Sequence, residues 1–274
     1  MSSDGALFEC VINISEGENE RLLRQLEHAA GESFVDRHSD PFHNRSVFTL
    51  INTALDLERD VCWLIRNAID VLDLEFHEGV HPRFGVVDVV PFVAIDPEDR
   101  DRARELRDTV AQWLGDLDIP VFLYGDERSL PEVRKGAFGS LSPDYGPSSP
   151  NPEVGAVAVG ERPFLLAWNM YLDGASHEQT RTLATQLRGD GVRTLALRVG
   201  AREQVSCNLI DPLRVGPAEV YDRLTALLPL GVRISECELV GLAPAEVLGA
   251  IPEERWAQLG LSEEKTIEFV LEAV

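Results

Sequence analysis

The order of strand-like and helix-like segments constrains the fold most, because the same order occurs twice. In the first half, four segments have the β-branched and aromatic residues of strands: LFECVINI, SFVD, SVFTLINTA and GVVDVVPFVAI. A helix-like segment, ENERLLRQLEHAA, follows the first strand, and an apolar stripe at helical spacing follows the third, at Val61, Leu64, Ile65, Ala68, Ile69 and Leu72. The pattern predicts βαββαβ, then a helix from Pro97 to about Leu117 and a strand at PVFLYG.

The second half repeats this order. Its predicted strands are PFLLAWNMYL, VRTLALRV, EQVSCNLI and VRISECELVG, and its predicted helices run from Ser176 to Leu187 and along PAEVYDRLTALL. Two successive βαββαβ units predict an α+β fold with two ferredoxin-like lobes, residues 1–161 and 162–274. Helices would cover one face of each sheet, so a cleft between the two other faces is the expected site.

Two helix starts have a capping-box spacing, in which a hydroxyl side chain precedes a Glu or Gln by three residues. Ser15 and Glu18 have this spacing before the first helix, which is expected to end at Gly31. Ser176 and Gln179 have it before the first helix of the second half. Both pairs are predicted to cap their helices.

The charge of the chain excludes several classes of partner. Its 274 residues include 47 Asp and Glu against 25 Lys and Arg, a net charge of -22. Such a surface repels nucleic-acid phosphates and anionic lipids, so neither nucleic acid nor membrane is expected as a partner. No apolar run reaches the ~20 residues that a membrane helix needs, and no secretory signal is recognisable. The four cysteines lack C-x-x-C spacing, which predicts reduced, mostly buried thiols in a cytoplasmic protein.

A segment rich in small residues and proline separates the two halves. Of the 17 residues from Gly139 to Gly155, 11 are Gly, Ser or Pro, which argues against helix or strand. Two interpretations stay open on composition alone: a linker between lobes, or a loop that carries binding groups over the cleft.

The stretch HEGVH matches H-E-x-x-H, in which two histidines on one helical face bind zinc. The zinc site would consist of His77, His81 and a further ligand, with Glu78 as general base. Pro82 directly follows His81 and Gly79 lies between the histidines, so a helix is disfavoured. No third ligand has a recognisable spacing. The match is therefore interpreted as chance, and no metal is predicted.

Polar residues also cluster in DRHSDPFHNRS, just before a predicted strand. Together with HEGVH, this segment contains four of the six histidines of the chain, His38, His43, His77 and His81. A polar turn with caps and ion pairs explains such a cluster as well as a functional site does. Pro82 stiffens the backbone after His81, which favours an accessible imidazole at this position.

Nine blocks, in this order, resemble the glutamate formiminotransferase family, the transferase part of the formiminotransferase-cyclodeaminases: NISEG, HNRSVFT, GVHPRFGVVDVVPF, IPVFLYG, LPEVRKG, PDYGPSS, RPFLLAWN, QVSCNL and ELVGLAP. The resemblance covers nearly the whole chain, and the ordered series is more specific than any single block. It implies transfer of a formimino group from N-formimino-L-glutamate to N5 of tetrahydrofolate in histidine degradation. Cyclodeaminase activity is not implied, because no second domain is expected.

The resemblance also implies an architecture and a site. Two lobes would face each other across a folate tunnel, and the protein would be a homodimer with folate and formiminoglutamate as its small-molecule partners. The catalytic histidine of the family corresponds to His81. Residues in the matched blocks are the candidates for substrate binding: His38, Asp40, Asn44, Arg45, Arg83, Lys135, Gly146, Pro147, Ser148, Ser149, Gly155 and Asn208.

The chemistry explains why a histidine would serve. N5 loses a proton and the departing glutamate nitrogen gains one, and imidazole, with an unperturbed pKa of about 6.5, carries protons in both directions near neutral pH. Both substrates have carboxylates, which cations such as Arg45, Arg83, Arg134 and Lys135 would bind. An acidic chain must supply such cations locally.

Two positions depart from the family pattern. An aspartate that the family places beside its catalytic histidine corresponds to His38, and the glutamate before that histidine corresponds to Val80. Losing an acid removes a group that raises the pKa of the imidazole or orients it. Asp36 or Asp40 would have to compensate. The alternatives are therefore a non-catalytic folate-binding paralogue and a related transferase that accepts a formyl donor.

Overall fold

The computed structural model describes residues 5–79 and 83–273. The chain is a mixed α/β protein with two sheets, one of six strands and one of four. It divides into two compact units, Met1–Pro163 and Phe164–Val274.

The first unit contains the six-stranded sheet and four helices. Its strands are β1 (Leu7–Ile14), β2 (Phe34–Asp40), β3 (Arg45–Thr53), β4 (Val87–Ala94), β5 (Val121–Tyr124) and β6 (Val157–Glu161). Its helices are α1 (Glu20–Ala29), α2 (Ala54–Val71), α3 (Arg100–Asp116) and α4 (Leu130–Gly136). Short 3₁₀ helices occupy Gly31–Ser33, Leu74–Phe76 and Pro97–Asp99.

The strand order of this sheet is β2-β3-β1-β4-β6-β5. The pairs β2–β3, β3–β1 and β1–β4 are antiparallel, whereas β6 lies parallel to both β4 and β5. The predicted βαββαβ order is thus present from β1 to β4. Sequence reasoning did not predict α4 or β6.

Buried apolar side chains from the sheet and from α1, α2 and α3 form the main core of this unit, including Phe8, Leu23, Leu64, Phe92 and Val110. A smaller core on the other face packs Val133 of α4 against Phe122 and Ala158. Helices therefore cover one face of the sheet fully and the other face at the β4–β6–β5 end.

Residues 37–40 form the second half of β2, so the interpretation of DRHSDPFHNRS as one polar turn is wrong for these residues. Arg37 binds Glu20 and Glu27 of α1, which places it on the helix-covered face. Because side chains alternate along a strand, Asp36, His38 and Asp40 lie on the opposite face. The turn itself is limited to residues 41–44.

The predicted cap of α1 is also wrong. The helix begins at Glu20, and Asn19 is its N-cap, with Oδ1 accepting from the N–H groups of Arg21 and Leu22. The hydroxyl of Ser15 instead donates to Gly85 O at 2.8 Å. The Ser15–Glu18 spacing therefore does not mark the start of α1, because Ser15 contacts the segment before β4 instead.

The second unit contains the four-stranded sheet, in the order β10-β7-β9-β8 with antiparallel neighbours. Its strands are β7 (Leu166–Asp173), β8 (Val192–Val199), β9 (Arg202–Leu209) and β10 (Arg233–Val240). Its helices are α5 (His177–Leu187), α6 (Pro217–Leu227), α7 (Ala245–Gly249) and α8 (Ile267–Ala273). Three 3₁₀ helices occupy Glu253–Arg255, Ala257–Leu259 and Glu263–Lys265. The predicted order from β7 to β10 is present.

The predicted cap of α5 is confirmed. Ser176 accepts from the N–H of Gln179, and the Gln179 side chain accepts from the N–H of Ser176. The core of this unit lies between the sheet, α5, α6 and the C-terminal segment. That segment was not predicted as structured, yet Leu259 O accepts a hydrogen bond from the buried Trp168 indole at 2.8 Å.

All four cysteines are free, and Cys10, Cys207 and Cys237 are buried, as the sequence predicts for reduced thiols. Burial raises the pKa of the Cys62, Cys207 and Cys237 thiols to about 12. Within the described ranges, no helix is both long enough and apolar enough to cross a membrane.

Candidate functional site

The register of the six-stranded sheet brings most candidate residues to one edge. Strands β4, β5 and β6 begin at this edge, and β1, antiparallel to β4, ends there. The antiparallel pairing of β3 with β1 and of β2 with β3 places Arg45 and Asp40 at the same edge. Residues 83–86 lead into β4 here.

Asn44 is the centre of the hydrogen bonds at this edge. Its backbone is left-handed, with φ of 47°, a conformation that asparagine tolerates better than most residues. Its side-chain Oδ1 accepts from Gly17 N–H at 2.8 Å, and its Nδ2 donates to Glu78 O at 2.8 Å. Asn44 was predicted to bind substrate, but its amide already connects two backbone segments of the protein.

Both ring nitrogens of His77 have protein partners. Nε2 lies 2.9 Å from Asn44 O, and Nδ1 contacts the guanidinium of Arg83. This pattern corresponds to a neutral imidazole with its hydrogen on Nε2. Burial, together with the positive charge of Arg83, lowers the pKa of His77. His77 would have to lose one of these contacts, most directly that between Nδ1 and Arg83, before it could bind a metal ion.

Arg83 joins the two sides of the segment that contains His81. Its guanidinium donates to His77 O at 2.8 Å and to Gly79 O at 2.5 Å. A Cβ atom at Gly79 would lie 2.4 Å from His43 O, so glycine is required where this backbone meets the turn between β2 and β3. Arg83, predicted to bind substrate, thus has several backbone partners. His81, the predicted catalytic residue, and Val80 lie outside the described residues.

Asp88 forms a second cluster at the same edge. Its carboxylate, which is 2% exposed, accepts from Arg134 Nη2 at 2.6 Å and from Phe84 N–H at 2.8 Å. Arg45 lies 3.5 Å from the same carboxylate and also donates to Asn13 Oδ1. Burial lowers the pKa of Arg45, and Asp88 opposes this shift. Asp88 was not among the predicted site residues, although an acidic residue within the apolar run VVDVVPFV was a signal.

The remaining cationic and acidic candidates differ in exposure. Lys135, on α4 beside Arg134, is exposed and has no ion pair within the described ranges. Asp40 accepts from the N–H groups of Phe42 and His43 and lies 3.2 Å from His43 Nδ1, which ties its carboxylate to the turn. His38 pairs with Val47 in the sheet and is partly buried.

The segment from Gly139 to Gly155 lies within the first unit, and its middle and its C-terminal end contact different parts of the sheet edge. Gly155 has a φ of 78° and forms a β-bridge with Gly85. A Cβ atom at residue 155 would lie within 2.7 Å of backbone atoms of Phe84 and Gly85. Gly146, with φ of 76°, packs against Ile119 O. Pro147, Ser148 and Ser149 follow, and both serines are exposed. The predicted substrate loop thus contacts the chain on the β4 side of His81.

Asn208 belongs to the second unit. It lies on β9, is exposed, and pairs with Ala167 and Arg193 in the sheet. A cavity of about 330 Å³ in this unit lies between α5 and β8 and is lined by His177, Arg181, Ala184, Thr185, Arg188, Leu195 and Ala196. None of the predicted site residues lines this cavity.

Glu9, on β1, is an unusual acid that sequence reasoning missed. It is 3% exposed, and burial raises its pKa to about 7, with Arg162 opposing the shift. Its position between Ile51 and Val93 explains the burial. In residues 5–79 and 83–273, no group of three or more His, Cys, Asp or Glu side chains is arranged to hold a metal ion.

Comparison with known proteins identifies the family. The family model described as formiminotransferase domain, N-terminal subdomain, matches residues 7–162. The glutamate formimidoyltransferase of Streptococcus pyogenes serotype M1 is 32% identical over 275 residues, which cover 90% of this chain and 92% of the relative. That of Thermoplasma acidophilum is 30% identical over 274 residues, which cover 89% and 90%.

A bifunctional relative matches in part of its length. The formimidoyltransferase-cyclodeaminase of Sus scrofa is 30% identical over 276 residues, which cover 88% of this chain and 51% of the relative. The chain thus spans about half the length of this relative. The resemblance inferred from the nine blocks is confirmed, and the chain belongs to the glutamate formiminotransferase family.

Proposed function

We propose that this protein is a glutamate formimidoyltransferase, an enzyme of histidine degradation and one-carbon metabolism. It transfers a formimino group from N-formimino-L-glutamate to N5 of tetrahydrofolate, its co-substrate. The observation that carries this proposal is the match, along about nine-tenths of both chains, to relatives named glutamate formimidoyltransferase.

His81 is the proposed proton carrier. N5 attacks the amidine carbon, a tetrahedral intermediate forms, and the bond to the glutamate nitrogen breaks. N5 must lose a proton and the glutamate nitrogen must gain one, so one imidazole serves both transfers. Proton transfer of this kind typically contributes about 10²- to 10⁴-fold in rate.

The cations at the sheet edge are the proposed partners of the substrate carboxylates. Arg45 and Arg134 meet at Asp88, so two positive charges share one buried negative charge. Lys135 is exposed beside them, and Arg83 lies next to His77. Charge-assisted hydrogen bonds of this kind are about twice as strong as neutral ones. The grouping of these cations supports an anionic substrate at this edge of a highly acidic protein.

The proposed architecture consists of two ferredoxin-like lobes, residues 1–161 and 162–274, with facing sheets and a folate tunnel between them. The strand orders β2-β3-β1-β4 and β10-β7-β9-β8 support the ferredoxin-like lobes. Further proposed folate and substrate contacts are His38, Asp40, Gly146, Pro147, Ser148, Ser149, Gly155 and Asn208. We also propose a cytoplasmic homodimer.

The proposal is tested by mixing the purified protein with tetrahydrofolate and N-formimino-L-glutamate and following the absorbance of the 5-formimino product. Turnover is expected for the wild type. His81→Ala should lower kcat by at least about 10²-fold, because the proton carrier is lost, while folate affinity, measured by calorimetry, changes little. Wild-type turnover that survives in His81→Ala would contradict the role of His81.

A folate-binding paralogue without transferase activity is the second candidate, favoured by His38 at the position of a family aspartate. The same experiment separates the two: tetrahydrofolate binding without turnover of any donor would establish the paralogue. Turnover of a formyl donor in place of the formimino donor would identify the related transferase.

A further inference from the structure

We infer that Asn44 and Asp88 are positioning residues of the proposed reaction, which fix the backbone on the two sides of residues 80–82. This inference rests on the proposed function. Neither residue needs to touch substrate, because the Asn44 amide and the Asp88 carboxylate already bind other groups of the protein.

The chain before residues 80–82 is held by Asn44. Its Nδ2 donates to Glu78 O, and its own carbonyl oxygen is the partner of His77 Nε2. Its Oδ1 accepts from Gly17 N–H, so the same side chain also fixes the loop that follows β1. One amide therefore connects three segments that are far apart in sequence.

The chain after residues 80–82 is held by Asp88. Its Oδ1 accepts from Phe84 N–H, while Oδ2 binds Arg134 and lies near Arg45. The carboxylate is nearly inaccessible to solvent, so its position is set by these partners. Because Arg45 and Arg134 are proposed carboxylate-binding groups, Asp88 sets their position as well as that of the backbone.

Direct contacts also connect the two sides. Arg83 donates to His77 O and Gly79 O, and the Cβ positions of Gly79 and Gly85 are filled by backbone atoms of His43 and Ala156. The backbone at both ends of residues 80–82 is thus fixed at Gly79 and at Phe84. Orientation of a reacting group is worth large rate factors, and a displacement of about 1 Å can cost roughly 10²-fold in rate.

Substitutions that remove side-chain hydrogen bonds or a charge without straining the backbone test this inference. Asn44→Gly keeps the left-handed backbone and removes the amide, whereas Asn44→Asp keeps the acceptor for Gly17 and removes the donor to Glu78. Asp88→Asn keeps an acceptor for Phe84 N–H and removes the negative charge beside Arg45 and Arg134.

Each variant is expected to lower kcat by about 10- to 100-fold. KM for tetrahydrofolate should change by less than about threefold in the two Asn44 variants, whereas Asp88→Asn, which also releases Arg45 and Arg134, should raise KM as well as lower kcat. Matched controls are Asp118→Gly, another left-handed position, and Asp60→Asn, another buried carboxylate, which accepts from Ser33 N–H and Oγ. The controls should lower thermal stability at most and leave kcat unchanged.

The outcomes are separable. If the wild type turns over and the three variants keep wild-type kcat, or change KM alone, the inference is wrong and the proposed function stands. If the controls lose kcat as strongly as the variants, general loss of stability explains the effect and the inference is wrong. A wild type without turnover overturns the proposed function, and the inference falls with it.

Discussion

Single side chains at the sheet edge acquire their roles from partners far away in sequence. Asn44 binds Glu78 across 34 positions, and Arg134 binds Asp88 across 46. His77 shows the consequence for chemistry: with an acceptor and a donor for its two nitrogens and a neighbouring guanidinium, its neutral form is favoured. His77 therefore has a structural role, because it binds the backbone of Asn44 in the turn between β2 and β3.

His38 offers a test at the same scale. His38→Asp introduces the acid that the family resemblance implies at this position and should raise kcat by several-fold, because a carboxylate near the imidazole proposed as catalytic would stabilise its protonated form. The measurement is the pH profile of kcat, which should also shift to higher pH. His28→Asp on the exposed surface of α1 controls for the change in net charge. An unchanged profile would show that another residue supplies this function.

Glu9 gives a prediction about stability and pH. Its folded pKa of about 7 exceeds the ordinary 4.5, so the folded protein binds this proton more tightly than the unfolded chain. The associated stability is complete below pH 4.5 and is lost as the pH rises through 7.

Glu9→Gln removes the buried charge and should therefore stabilise the protein at pH 8, by at most about 3 kcal/mol. The free energy of unfolding in urea is the measurement, made at pH 8 and at pH 5. The gain should be smaller at pH 5, where the wild-type carboxyl is protonated in the folded state. Equal gains at both values would mean that the Glu9 pKa is not raised.

Among the secondary-structure elements, α5 depends on a local cap. Ser176→Ala removes the acceptor for Gln179 N–H and should destabilise the protein by about 1 kcal/mol. The loss should appear in the urea unfolding of the second unit, which contains this helix, as a lower midpoint with an unchanged slope. Thr182→Ala, exposed on the same helix, is the control and should cost less, because alanine has a higher helix propensity. Equal losses in both variants would show that the cap contributes nothing.

For the whole molecule, net charge is the dominant long-range term. With a formal charge of -22, the folded chain repels itself, and this repulsion is screened as salt shortens the Debye length to about 3 Å at 1 M. The melting temperature should therefore rise by several degrees between low salt and 1 M NaCl. An equal rise of the melting temperature in KCl would show that charge screening causes it and that ion-specific effects do not. A falling melting temperature would mean that ion pairs such as Arg107–Glu127 outweigh the repulsion.

The sequence by itself determined the βαββαβ order of the elements from β1 to β4 and from β7 to β10. Hydrophobic periodicity is a local property, so β1 and β8 were predicted with their observed bounds, and the α5 cap is complete within three residues of chain. The ordered blocks likewise identified the family, because they require no knowledge of contacts.

The tertiary structure decided which of these residues act together. Ser15 has the spacing of a cap, but Gly85, 70 positions away, takes its hydroxyl. Asp88 occurs in an apolar run, and the packing of α4 brings Arg134 to its carboxylate. Such partners are chosen by strand register and helix packing, and local sequence contains neither, because both depend on which distant surfaces are buried together.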